Sequence, residues 1–212
     1  MGDAPTWGLI HKERAAMADT LNALTASQWS EPSLVAGWSV QVTAAHIVNG
    51  AEQTPGHFMA RMAANGFRFN KAMDRDARRS GALAPAEIVE RLRARTTTTN
   101  HPPAPVMAML GEIVVHAEDI RHPLGLESDT SPDAIVACLE MYAKANFPVG
   151  GKKRIDGLRL VATDIDWSHG TGPEVSGLGL SLVMAMTGRP AGLDRLTGDG
   201  LATLRSRVAP PG

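Results

Sequence analysis

The sequence predicts a mainly α-helical bundle followed by a small α/β domain. Apolar residues recur at helical spacing through the first two-thirds of its 212 residues. A glycine- and lysine-rich stretch, VGGKKRIDG, then occupies positions 149–157. Beyond it, alternating apolar residues are typical of strands. We therefore expect a helical bundle over residues 1–148 and an α/β domain over residues 149–212.

Five helices are expected in the first domain. The first covers residues 6–24. Ser39 is placed to cap the second, over 40–64, which Pro55 bends or interrupts. The charged segment 65–83 is less regular and is expected to be a long connection. The remaining helices are expected at 85–99, 106–125 and 131–147.

The second domain combines strands with apolar helices. Residues 158–170 alternate like one strand, or like two strands separated by a turn. Residues 172–189 form an apolar stretch that contains glycines, and a helix is expected there. Residues 194–207 predict a short strand, a turn and a last helix.

Composition excludes several classes of protein. Lys and Arg number 21 and Asp and Glu 22, so no strong field indicates a nucleic-acid or anionic-membrane partner. No apolar run reaches the roughly 18 residues that a membrane span needs. The single cysteine, Cys138, rules out an internal disulfide and a cysteine-rich zinc site, which favours a cytoplasmic protein. Cys138 lies in an apolar helical pattern and is interpreted as a core residue.

Two of the seven histidines stand apart from the others. His46 and His116 lie inside apolar helical patterns, TAAHIV and IVVHAED. A single histidine of this kind is usually a hydrogen-bonded core residue, but two raise the possibility that they meet. The others lie in polar or turn-like contexts and are interpreted as surface or hydrogen-bonding residues: His11, His57, His101, His122 and His169.

Glu112 is the natural companion of these histidines. Glu112 and His116 are four positions apart and therefore share one face of a helix. The residues between them are apolar, and an unpaired buried carboxylate costs several kcal/mol. A bound metal ion is the simplest compensation, although Glu-x-x-x-His pairs also arise on exposed helix faces.

Two histidines and one carboxylate leave coordination positions open, as in catalytic rather than structural metal sites. Zinc suits such ligands, and iron, nickel and manganese also fit. Asp119, one turn after His116, is expected either to accept a hydrogen bond from its imidazole or to be a solvated helix residue. The ion would lower the pKa of a bound water or thiol and so create a nucleophile.

At these residues the chain resembles a known family. The matching segments are AGWSVQVTAAHIV, GEIVVHAEDIRHPLG, and the tail from GLRLVATDIDWSHG to LTGDGLATL. Together they resemble the mycothiol-dependent maleylpyruvate isomerase family of the DinB-like superfamily. Ser39 and Val42 depart from the commoner pattern, in which a Thr and an acidic residue are frequent.

The resemblance implies a DinB-like up-down helical bundle followed by a small α/β C-terminal domain. It also implies that His46, Glu112 and His116 hold a divalent metal, with zinc the expected ion. Mycothiol is then the thiol cosubstrate. The family also contains members whose substrate is unassigned, so isomerisation and thiol transfer both remain open.

The leading hypothesis is thus a metal-dependent enzyme, an isomerase or S-transferase, in which a metal-bound thiolate attacks an electrophile. We expect its partners to be a small thiol and an electrophilic substrate, with no nucleic-acid or membrane partner. The protein is expected to be a monomer or a homodimer. The alternatives are a non-catalytic metal-binding bundle and a metal-dependent hydrolase. Basic side chains available for an anionic substrate include Arg68, Arg75 and Arg154, although each is more commonly a solvated surface residue.

Overall fold

A computed structural model describes residues 2–66, 68–147 and 149–208. The chain packs into two compact units, Met1–Asp129 and Thr130–Gly212. The helices of the first unit are α1 (Asp3–Ala23), α2 (Ala26–Ser30), α3 (Val40–Glu52), α4 (Pro55–Ala64), α5 (Phe69–Ser80), α6 (Pro85–Arg93) and α7 (Val106–Arg121).

Four of these helices form the predicted bundle. Helix α7 packs against α1 and α3, and α6 packs against the same two helices. Their apolar faces meet in a core in which Ile10, Met17, Leu92, Leu110 and Val114 are completely buried. Removing such faces from water is the main favourable contribution to folding. The expected helical-bundle fold class is confirmed.

Local capping sets the ends of the helix that carries His46. The Ser39 hydroxyl accepts a hydrogen bond from the Val42 amide, as expected, and α3 begins there. The helix ends at Glu52, and the Thr54 side chain caps α4, which starts at Pro55. Pro55 therefore interrupts the long helix expected over 40–64, because proline suits only the first turn of a helix.

The segment 65–83, expected to be a connection, contains helix α5. This prediction was wrong because α5 lacks a wide apolar stripe, and the side chains that it buries among those the structure describes are small, Ala72 and Ala77. Polar contacts hold it instead. Asp74 and Arg78 pair one turn apart, and the Arg61 guanidinium of α4 pairs with Asp76. Such contacts leave no strong hydrophobic period in the sequence.

Two other parts of the first unit differ from expectation by a turn or more of helix. The stretch 25–37, which lies between the first two expected helices, contains α2. A capping box between Thr25 and Gln28 stabilises the start of this helix. Helix α6 ends at Arg93 rather than near residue 99. The fourth expected helix corresponds to α7, which stops at Arg121, just before Pro123.

The second unit joins helices to a small sheet. The boundary expected between residues 148 and 149 differs from this division, because α8 packs against α9 and α10. Its elements are α8 (Pro132–Lys144), α9 (Gly151–Ile155), β1 (Arg159–Ala162), β2 (Ser168–His169), β3 (Glu174–Gly177), α10 (Gly179–Met186), a 3-10 helix (Pro190–Arg195), β4 (Leu196–Thr197) and α11 (Leu201–Val208).

The sheet has the strand order β2-β1-β3-β4. Strand β1 is antiparallel to β2 and parallel to β3, with Leu160 opposite Val175, and β4 runs antiparallel to β3. The expected pair of strands within 158–170 is present, as are the strand and helix within 194–207. The predicted linker 149–157 instead contains α9, and the helix expected from residue 172 is preceded by β3.

Cys138 is completely buried in α8, as expected for a core residue. Within the described ranges, no helix combines the length and the apolar character that crossing a bilayer requires.

Candidate functional site

Helices α3 and α7 bring the three predicted ligands together. His46 lies on α3, and Glu112 and His116 lie one turn apart on α7. The His46 Nε2 atom is 3.8 Å from Glu112 Oε1. The rings of His46 and His116 meet edge to face, with 4.8 Å between their centroids. Two stretches that are 66 positions apart in the chain, counted from His46 to Glu112, therefore converge on one place.

These three side chains keep partial contact with solvent inside an otherwise buried surface. Their side chains are 15% (His46), 22% (Glu112) and 17% (His116) exposed. Flanking residues on the same helices, such as Ile47 and Val115, are buried. The three polar groups thus lie close together and remain in partial contact with solvent.

Asp119 lies behind His116, with its carboxylate completely buried. Its Oδ2 accepts a hydrogen bond from His116 Nδ1 at 2.8 Å, the contact expected from their spacing. An ionised carboxylate can only accept hydrogen bonds, so pairing with ionised Asp119 assigns the proton of the neutral His116 ring to Nδ1. Nε2 then carries the lone pair with which an imidazole binds metals.

The AGWS segment closes one side of the site. Gly37 adopts a positive φ of 74°, a conformation that glycine takes without strain, and this turns the chain toward α3. The ring of Trp38 lies 5.2 Å from that of His46, and Trp38 Nε1 donates to Asp74 Oδ1 at 2.8 Å. The Leu34 amide donates to the backbone carbonyl of Asp119 at 2.9 Å. The loop is therefore fixed to α5 and α7 around the histidines.

Burial keeps the His46 imidazole neutral. Burial first, and then electrostatic interactions with His116 and Arg61, lower the pKa of His46 to about 3. Burial also raises the pKa of Glu112, against the opposing influence of His116 and Arg14. A neutral imidazole is the form that binds a metal. The same burial makes a lone carboxylate unfavourable unless a positive charge lies beside it.

Arg14 is a member of this site that the sequence analysis missed. The residue is 3% exposed, and its Nη1 donates to the Thr98 carbonyl at 2.9 Å. Burial lowers the pKa of Arg14, and the charge of Glu112 opposes that shift. Arg14, Glu112 and Gly50 all line a cavity of about 10 Å³. Arg14 occurs in a charged run on α1, where the sequence gives no sign that it turns inward.

The side chains of His46, Glu112 and His116 are of the types that bind a cation, but their ligand atoms lie slightly farther apart than they would around a bound metal ion. As the side chains stand, the described parts of the chain contain no group of three His, Cys, Asp or Glu residues arranged to hold a metal ion. Ligands about 2.1 Å from a tetrahedral zinc are about 3.4 Å apart, a few tenths of an ångström less than the His46–Glu112 separation. Within the described residues, neither of these two side chains has a hydrogen bond that competes with a cation.

Other candidate residues lie in different surroundings. His11 and His101 each lie 5.8 Å from the ring of Trp7. His57 and His122 are exposed, and so are Arg68 and Arg75. Arg154 in the second unit donates to the carbonyls of Val149 and Met186, which is a structural contact. None of these residues is among those that surround His46 and Glu112.

A comparison with protein families identifies the N-terminal segment. Residues 10–102 match the family model described as the mycothiol maleylpyruvate isomerase N-terminal domain. This segment, which is less than half of the chain, is thus similar to that domain. The resemblance found in the sequence is confirmed. The matched segment includes His46 and ends before Glu112 and His116.

Solved structures extend the likeness of fold to the rest of the chain. A crystal structure of the mycothiol-dependent maleylpyruvate isomerase matches with a TM-score of 0.63 and 16% identity, over 94% of this chain and 93% of that chain. A histidine-to-alanine mutant of that isomerase matches with a TM-score of 0.62 and the same identity and coverage. At this identity the likeness shows a shared fold. A search of curated proteins finds no match.

Proposed function

We propose that the chain is a metal-dependent enzyme that uses mycothiol, acting as an isomerase of the maleylpyruvate isomerase type or as a thiol S-transferase. The observation that carries the proposal is the convergence of His46, Glu112 and His116, whose side chains are all partly exposed to solvent. The family of the N-terminal domain and the fold of the isomerase support mycothiol as the thiol.

In this proposal, His46, Glu112 and His116 hold the ion, with zinc the expected metal. When bound, a divalent cation supplies the positive charge that lowers the pKa of a thiol at neutral pH. Three protein ligands leave room for such a thiol. The lowered pKa of His46, about 3, leaves its imidazole neutral at neutral pH, the form that binds a metal.

Asp119 and Arg14 prepare the ligands for this task. The Asp119 carboxylate fixes the tautomer and the orientation of the His116 ring. Arg14 carries a permanent positive charge close to Glu112, which favours the ionised carboxylate that a metal site needs. The Trp38 ring packs beside His46, with 59° between the ring planes, and helps to hold the imidazole in place.

A mycothiol-dependent mechanism requires that the sulfur adds to an electrophilic carbon of the substrate. Release of the thiol after rotation about the attacked bond gives isomerisation, whereas retention gives a thioether product. The three ligands serve both outcomes equally. We propose maleylpyruvate or a related unsaturated electrophile as the substrate class, because the family of the N-terminal domain is named for that reaction.

The test combines elemental analysis with two assays. Protein purified without added metal is expected to contain about one zinc per chain. It is then assayed for isomerisation of maleylpyruvate and for formation of a bimane thioether, with and without mycothiol. His46→Ala is expected to lose metal and activity together, whereas the control His122→Ala, which removes an exposed imidazole, is expected to retain both.

The alternative functions predict different results. A metal-binding bundle without catalysis would contain metal and turn over neither substrate. A hydrolase would act on ester substrates in the absence of thiol. Activity with mycothiol that survives complete removal of metal would contradict the proposal.

A further inference from the structure

Gly50 makes an unusually close contact with the Glu112 side chain. It lies one turn after His46 on α3 and is buried. A Cβ atom built on Gly50 would lie 2.1 Å from Glu112 Oε1, 2.9 Å from Cδ and 3.1 Å from Oε2. The carboxylate therefore occupies the space that any other residue at this position would fill with its own side chain.

The backbone does not require glycine at this point. An Asn-Gly step just after His46 could have distorted the helix, but α3 continues through Glu52. Gly50 does not have a positive φ, so its backbone conformation is open to other residues. Glycine is an unfavourable residue in the interior of a helix, where alanine is the best. What the absence of a side chain at position 50 permits is the close contact with Glu112.

We propose that Gly50 is a positioning residue, whose missing side chain lets the Glu112 carboxylate lie against α3 within reach of His46. This inference rests on the proposed function, since it assigns Gly50 to the ligand set of that site. Helix α3 thereby supplies one ligand, His46. One turn later, at Gly50, it leaves the space that the carboxylate of a second ligand, Glu112, occupies. Glu112 could not take its present position against a helix with a Cβ at residue 50.

The overlap falls on the end of a flexible side chain rather than on backbone. The three heavy atoms nearest to the built Cβ all belong to Glu112. An alanine at position 50 can therefore be accommodated by swinging the carboxylate away, with little change in α3 or α7. The substitution is expected to damage the site much more than the fold.

Cobalt(II) binding tests this inference without any assay of turnover. Chelator-treated wild type, Gly50→Ala and Gly8→Ala are titrated with Co²⁺ and followed by visible absorption. Gly8 is the matched control, because it is a helical glycine with nothing within 4 Å of a built Cβ. Gly50→Ala is expected to bind Co²⁺ at least tenfold more weakly and with a changed absorption spectrum. Its melting temperature without metal is expected to stay close to that of Gly8→Ala.

A double-mutant cycle separates the steric effect from a general loss of stability. In a Glu112→Ala background, Gly50→Ala is expected to have no further effect on Co²⁺ affinity, because the atoms it displaces are gone. If Gly50→Ala alone does not fold, the double variant is expected to fold. Additive losses in the cycle, or a double variant that also fails to fold, would overturn the inference.

The outcomes also distinguish the inference from the proposed function. Wild type that binds no Co²⁺ contradicts the proposed metal site itself. Wild type and Gly50→Ala that bind Co²⁺ with equal affinity leave that site intact and overturn only the role of Gly50.

Discussion

The imidazole of His116 donates to the carboxylate of Asp119 across 2.8 Å, and that carboxylate has no exposure to solvent. We predict that Asp119→Asn lowers metal affinity about 10- to 100-fold, because an amide fixes the ring less strongly and no longer raises its basicity. Competition with a fluorescent chelator measures the affinity. An affinity equal to that of wild type would exclude a role for Asp119 in supporting the site.

Trp38 is expected to report on cation binding at the neighbouring histidine. Its ring lies 5.2 Å from that of His46. A paramagnetic ion such as Co²⁺ bound there is expected to quench the Trp38 fluorescence. The same titration of Trp38→Phe should show most of the quenching lost while visible absorption still detects binding. Full quenching in the variant would place the ion beside another tryptophan.

Arg121 is expected to be the arginine on which the stability of the first unit depends most. It is 1% exposed, pairs with Glu118 and Asp129, and donates to the Thr20 hydroxyl. Removing one partner of a buried ion pair leaves the other without compensation and costs about 3–5 kcal/mol. We predict a loss of this size for Arg121→Ala in urea unfolding.

The control for this measurement is Arg93→Ala. Arg93 pairs with Asp19 at the surface, where the side chains are 49% and 78% exposed. Surface pairs of this kind contribute about 0–1 kcal/mol. Similar losses in the two variants would show that burial does not decide the contribution of these arginines.

The surroundings of Glu140 lead us to predict that the stability of the second unit depends on pH. Hydrogen bonds from Lys144 and then from the Trp167 indole lower the pKa of Glu140 below 4.5. A folded-state pKa below the unfolded value means that the contribution is present above about pH 4.5 and is lost as the pH falls through the folded pKa. Glu140→Gln should therefore melt below wild type at pH 7.

The difference between Glu140→Gln and wild type should shrink steadily on acidification below pH 4.5 and disappear at the lowest pH at which both remain folded. Thermal unfolding followed by tryptophan fluorescence at a series of pH values measures it. The effect is expected to be small, since 45% of the Glu140 side chain is exposed. If the difference in melting temperature between the two proteins does not change with pH, it arises from packing rather than from the charge of Glu140.

The sequence by itself determined the helices with a clear apolar period and the residues that interrupt it. The core helices α1, α3 and α7 follow from the spacing of apolar residues. The cap at Ser39 and the interruption at Pro55 follow from the residue types at those positions. His46, Glu112 and His116 could be selected because polar residues inside apolar patterns need compensation. Their meeting required the packing of α3 on α7.

Tertiary structure decided the features that have no local pattern. Helix α5 packs on α3 and is held by contacts of Trp38 and Arg61 with its carboxylates. Helix α8 joins the second unit because its partners lie later in the chain. The burial of Arg14 and the contact of Gly50 with Glu112 depend on atoms from distant segments. Sequence periodicity records which face of an element is buried, whereas the identity of the neighbour across that face is fixed only when the elements pack.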